Sequence, residues 1–81
     1  MDKPPAILYT RKGCHLCEEA HSLLQQHGFT VELVDIDLNQ ELRERYGLII
    51  PVVVIGGKER FRGRIDPRLL RRLVDPLSQV E

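Results

Sequence analysis

Short apolar runs alternate along this chain with stretches whose apolar residues recur at helical spacing. Ala6-Ile7-Leu8-Tyr9-Thr10 is brief, unbroken and apolar, as an interior parallel strand would be. Pro4-Pro5 is a stiff lead-in that cannot donate ladder bonds, so this strand is expected to begin near Ala6. After the polar turn Arg11-Lys12-Gly13, the apolar residues Leu16, Ala20, Leu23 and Leu24 follow a helical period. They predict a helix from about His15 to His27, with Gly28 just past its C-terminal cap. Phe29 to Asp37 then opens with strict alternation and predicts a second strand. A strand, a helix and a strand joined by a crossover of this length form a right-handed parallel unit.

In the second half, Asp37 or Asn39 is placed to cap a short helix over Gln40 to Tyr46, which Gly47 stops. Leu48-Ile49-Ile50 leads into Pro51, which must open the strand Val52-Val53-Val54-Ile55 or sit on an edge. Gly56-Gly57 signals a two-residue hairpin, and the returning strand Lys58 to Arg62 leaves mainly Phe61 to face inward before Gly63 breaks it. Asp66-Pro67 is an N-cap followed by proline at the first helical position, and Leu69, Leu70, Leu73 and Val74 give the last helix an apolar stripe. Asp75-Pro76 ends that helix and leaves Leu77 to Glu81 as a frayed tail. The expected order is β-α-β-α-β-β-α: a four-stranded mixed sheet flanked by helices, one α/β domain with its core over about 6–75.

Composition narrows the function classes. Eighty-one residues allow one small domain and no second core. A formal net charge of zero, with 30% charged residues, gives no global basic field for nucleic acid. No apolar run approaches membrane-spanning length, and Met1 to Pro5 ahead of a five-residue strand does not form a signal peptide. The expectation is a soluble cytoplasmic protein with neither a nucleic-acid nor a membrane partner. Charge is uneven over residues 58–72, with Lys58, Arg60, Arg62, Arg64, Arg68, Arg71 and Arg72 against Glu59 and Asp66. That run is either a solvated face or a surface for an anionic partner; its one aromatic residue, Phe61, is the one expected to face inward, which leaves none to stack on RNA.

The candidate chemistry lies in Cys14-His15-Leu16-Cys17, which holds the only two cysteines. Two cysteines at this spacing form an easily reversed disulfide within one turn, and only the thiolate is a competent nucleophile. Cys14 falls at or just before the helix start, where unpaired backbone N–H groups and the positive dipole end favour a negative sulfur. Cys17 lies one turn further on and deeper. Cys14 is thus the expected attacking thiolate and Cys17 the resolving thiol. A structural staple is disfavoured, because the loop it closes is too small to restrict the unfolded chain much. Distance argues against a zinc site built from Cys14, Cys17, His21 and His27: if all follow one helix, His27 would stand about 15 Å along it from Cys17. His15 either favours the thiolate or is a plain helix-start residue; Lys12 favours negative charge nearby, and Glu18 and Glu19 oppose it.

Taken together, the first strand, the Cys14–Cys17 motif, the isolated proline in Ile50-Pro51-Val52-Val53-Val54-Ile55 and the Gly56-Gly57 hairpin resemble a glutaredoxin-like protein of the thioredoxin superfamily. The resemblance covers Ile7 to about Val74. It implies a cis Ile50–Pro51 bond opposite the cysteines, with the Ile50 backbone pairing to an extended substrate. It also implies a thiol-disulfide oxidoreductase of cell redox homeostasis, a monomer that acts on disulfide-bearing proteins or glutathione and has no tightly bound cofactor. Glutathione as co-substrate would meet Lys12, Arg45 or Arg43, Gly63 and Asp66. Departures are present: Arg62-Gly63 stands for a Gly-Gly pair, Ile65 for a small polar residue, and the motif lacks Pro-Tyr. Thioredoxin reductase therefore remains open beside glutathione as the source of electrons. The family also includes iron–sulfur cluster carriers, in which Cys14 would be the ligand.

Overall fold

The computed structural model describes residues 5–74. Its elements run β1 (Ala6–Thr10), α1 (His15–Gln26), β2 (Val31–Asp35), a 3-10 turn (Ile36–Leu38), α2 (Gln40–Tyr46), β3 (Val52–Ile55), β4 (Lys58–Arg62) and α3 (Pro67–Val74). The sheet order is β2-β1-β3-β4, with β1 and β2 parallel and the other two pairings antiparallel. The expected order of elements and the mixed four-stranded sheet are both present. The Leu73 and Val74 side chains, the Asp75-Pro76 stop and the tail from Leu77 lie outside what the structure describes.

Adjacent residues of β1 and β3 point to opposite faces, and each face has its own core. Leu8, Val53 and Ile55 join Ala20 and Leu24 of α1, Phe29, Phe61, Ile65 and Leu70 of α3 on one side. Val52, with Tyr9 packed against it, meets Ile36 and Tyr46 beneath α2 on the other. The first core holds ten buried residues and the second three, so the side under α1 and α3 carries most of the apolar burial.

Three expectations shift in detail. The second strand begins at Val31 rather than Phe29, because Phe29 belongs to the end of α1. Its N–H donates to the Leu24 carbonyl at 3.1 Å and that of Gly28 to Gln25 at 2.9 Å, with Gly28 at φ +86°. This is a Schellman closure, and Phe29 supplies its apolar contact in the core with Leu24. The same strand ends at Asp35, since Asp35 Oδ1 accepts from the Asp37 N–H at 2.9 Å and turns Ile36–Leu38 into a 3-10 segment. Gly47 follows α2 as expected but keeps right-handed backbone (φ −56°). What favours glycine there is space, since a Cβ would stand 2.5 Å from the Arg43 carbonyl oxygen.

The apolar stripes are also narrower than the sequence pattern suggests. Leu16 of α1 and Leu69 of α3 are exposed, while Cys17 and Leu70 take the inward positions. Asn39 caps α2, its Oδ1 accepting from Leu42 N–H at 3.1 Å. At the hairpin, Gly56 and Gly57 both have positive φ, as a primed turn between paired Ile55 and Lys58 requires. Arg60 is an extra residue in β4, because Val54 pairs with Glu59 and Val53 with Phe61.

Candidate active site

The functional residues collect at one end of the sheet. Both β1 and β2 point their C-terminal ends there, and β3 starts there, with Val52 opposite Tyr9. Residues 11–14 after β1, Ile36–Asn39 after β2 and Ile50–Pro51 before β3 are therefore neighbours. Ligand sites of open α/β sheets form at this carboxyl edge.

Gly13, at φ +80°, turns the chain from β1 into α1. Cys14 is the N-cap of α1: its backbone is extended, and its Sγ accepts from the Cys17 N–H at 3.1 Å. A sulfur thus takes the place a serine or aspartate oxygen usually holds, facing one of the helix's orphan donors. Cys14 and Cys17 are joined in a disulfide, with Cα atoms 5.2 Å apart. The two sulfurs are unequal: Cys14 is partly exposed, whereas Cys17 is buried at 2%. The difference follows from the helix, since position 17 lies on the stripe that also buries Ala20 and Leu24.

Around this pair, Lys12 is exposed on the approach turn. His15 has a side chain 94% exposed, with Nδ1 3.7 Å from Glu18 Oε1, so its closest charged neighbour is a carboxylate. Ile50–Pro51 is a cis peptide bond, as the resemblance implied, and Pro51 is buried. Gly63 is brought to this loop: its N–H is shared between the carbonyls of Pro51 at 2.7 Å and Ile49 at 3.1 Å. Asp66 caps α3, accepting from the Arg68 N–H at 2.9 Å, and that bond holds its carboxyl below the usual carboxylate range. Arg45 lies over the ring of Tyr46, 5.9 Å from its centroid. His21 and His27 sit at the boundary of α1, where His27 Nδ1 meets the Leu23 carbonyl at 2.9 Å.

Two features went unsingled in the sequence. Arg11 grips Asp37 with Nε and Nη2, at 3.1 and 2.9 Å to the two carboxylate oxygens. This contact keeps Asp37 below the ordinary carboxylate range, and Arg43 adds to the effect. Thr10 is opposite Asp35 in the parallel ladder, so the residues just past both strands had to meet; that pairing was the available signal. The other feature is a groove between α1 and the start of α3, with His15, Glu18 and Glu19 on one wall and Arg64, Ile65 and Pro67 on the other. Ile65, where the family pattern has a small polar residue, is buried in the main core.

The Glutaredoxin-like domain family (DUF836) matches residues 6–75. The chain belongs to this family. A protein of X. campestris, known by X-ray structure, superposes with a TM-score of 0.76 at 32% identity, covering 88% of this chain and 96% of that one. Glutaredoxin C1 from a hybrid poplar (populus tremula x tremuloides), solved in its holo form, gives a TM-score of 0.68 at 23% identity over 98% and 79% of the two chains, a likeness of fold. The N-acetyl-S-hydroxy-L-cysteine reductase of Bacillus subtilis (strain 168) is 32% identical over 62 residues, 70% of this chain and 67% of its own. The glutaredoxin-like chain is a member of the thioredoxin superfamily with a cysteine pair capable of redox exchange.

Proposed function

We propose that the protein is a dithiol oxidoreductase that reduces disulfides of proteins or of glutathione. The observation that carries the reading is the asymmetry of the pair: a partly exposed Cys14 at the helix N-cap, bonded by the Cys17 N–H, and a buried Cys17 behind it. In the reduced protein that N–H and the helix N-terminus favour a thiolate at Cys14. The Cys14 thiolate attacks one sulfur of the target, the target's other sulfur leaves as a thiolate, and a mixed disulfide remains on Cys14. The Cys17 thiolate then attacks Cys14 Sγ, the second substrate thiolate leaves, and Cys14–Cys17 is oxidised. Two electrons from an external thiol, glutathione or thioredoxin with its reductase, return the pair to the dithiol.

The Bacillus relative supports a wider substrate range. N-acetyl-S-hydroxy-L-cysteine carries an S–OH group, and the same thiolate attack on that sulfur gives a mixed disulfide with loss of hydroxide. This chain is proposed to accept sulfenic acids by the same two steps.

The test is a pair of single-sulfur variants. Cys14→Ser abolishes exchange with a disulfide substrate, a loss of at least ~1000-fold expected when the nucleophile is removed. Cys17→Ser still forms the mixed disulfide, which mass spectrometry detects as a stalled adduct. An active Cys14→Ser protein together with an inert Cys17→Ser protein reverses the roles. Iodoacetamide should also alkylate reduced Cys14 at pH 7 well ahead of Cys17.

A further inference from the structure

Leu48 is fully exposed (101%) and Leu38 nearly so (85%), both at the sheet end that carries the cysteines. Each stands next to one half of a single ion pair. Leu48 follows Gly47, whose missing Cβ would stand 4.0 Å from Nη2 of Arg11. Leu38 follows Asp37, which holds that same guanidinium at 2.9 Å. Arg11 is itself three residues before Cys14, and Leu48 two before Ile50. Single exposed leucines are ordinary, but these two flank one ion pair, on the loops after β2 and before β3, and make an apolar rim to that end of the sheet. Positive charge remains at its edges. Lys12, beside Arg11, and Arg43, one turn before Gly47, are exposed and make no ion pair among the described residues.

We propose that this rim docks the polypeptide that bears the target disulfide, and that it selects segments with a large apolar residue and a carboxylate close to the reacting cysteine. The proposal rests on the exchange reaction assigned to Cys14 and names its substrate class. Apolar side chains meet Leu48 and Leu38, and a carboxylate complements Lys12 and Arg43. Glutathione offers no large apolar group, and the Arg11 guanidinium is already held by Asp37. A second copy of the chain is a poorer occupant, because a two-fold contact would set Lys12 and Arg43 against their own counterparts.

The experiment uses the pre-reduced protein and thionitrobenzoate mixed disulfides, so no added reductant is required. Cys14 attacks the peptide sulfur and thionitrobenzoate, the better leaving thiolate, departs as the coloured product; Cys17 then frees the peptide thiolate. Four probes are compared: cysteine peptides with neighbouring Leu and Glu, Ser and Glu, or Leu and Lys, and glutathione itself. The Leu–Glu peptide is expected to react roughly tenfold faster than the Ser–Glu peptide at sub-saturating concentration, the size of effect that burying one leucine gives. The gain should lie in the half-saturating concentration rather than the plateau, and added salt should narrow the Glu-over-Lys preference.

Leu48→Ser combined with Leu38→Ser should bring the Leu–Glu to Ser–Glu ratio close to one. Leu69→Ser, on α3 beside β4, should keep it near the wild-type value. Equal rates for all peptides in the wild type, a ratio that survives the double substitution, or self-association that the double substitution abolishes would each overturn the docking surface. Wild-type protein that consumes none of the probes, or Cys14→Ser that consumes them equally well, overturns the exchange reaction itself.

Discussion

On one face of the sheet, α1 and α3 close over Leu8, Leu24, Phe29, Val53, Phe61 and Leu70. On the other, α2 covers Ile36, Tyr46 and Val52, with Tyr9 stacked on Tyr46 at a centroid distance of 4.7 Å. The first face holds the larger core, ten buried residues. The second is thin, and near the cysteines it gives way to the Arg11–Asp37 pair and two bare leucines. Most of the apolar burial lies under α1 and α3, and the side under α2 has the smaller core, as the docking surface proposed above would require.

If this division is right, truncating the deep face should cost most. Leu24→Ala, at a fully buried position, is expected to lower unfolding free energy by about 2–5 kcal/mol in a urea titration of the oxidised protein. Leu42→Ala, on the half-buried inner side of α2, should cost about 1–2 kcal/mol because less area leaves water. A larger loss from Leu42 than from Leu24 would break the comparison. Next comes the cap of α2: Asn39→Ala should cost about 1 kcal/mol, and Asn39→Gly only a few tenths, roughly, since glycine is tolerated at that position.

The smallest effect belongs to the exposed ion pair. Asp37 is held below its ordinary range, first by the bond from Arg11, so the folded state binds a proton there less readily than the unfolded chain. The stabilisation is therefore present above the unfolded carboxylate pKa and is lost as pH falls through the folded one. Asp37→Asn should be slightly less stable than wild type at pH 7. Its deficit should close in strong acid and shrink in high salt, which thermal melts across pH would register.

Much of this arrangement was legible in residues with a strong local signal. Gly56-Gly57 fixed the hairpin, Asp66-Pro67 the start of α3, and a cysteine pair at a strand-to-helix turn gave both the position and the unequal depth of the sulfurs. Misplacements arose where a local rule met a longer-range need. Phe29 alternates like a strand residue but serves to close α1, and Leu16 fits the helical stripe yet faces solvent because Cys17 takes the inward place. The Arg11–Asp37 pair spans 26 residues and needed the parallel register before it could be seen. Leu48 carries no sequence signal of exposure, since it stands among Ile49, Ile50 and Pro51, which are at least partly covered.

The bulge at Arg60 has a bearing on how copies of this chain meet. β4 is an outer strand, and an uncovered flat strand is a template for endless stacking of like molecules. Here the ladder loses its rhythm midway, and the exposed Lys58 and Arg60 would confront like cations on an identical neighbour, while Arg62 is held by Glu59. An edge strand broken and charged in this way is a poor template for pairing with its own kind.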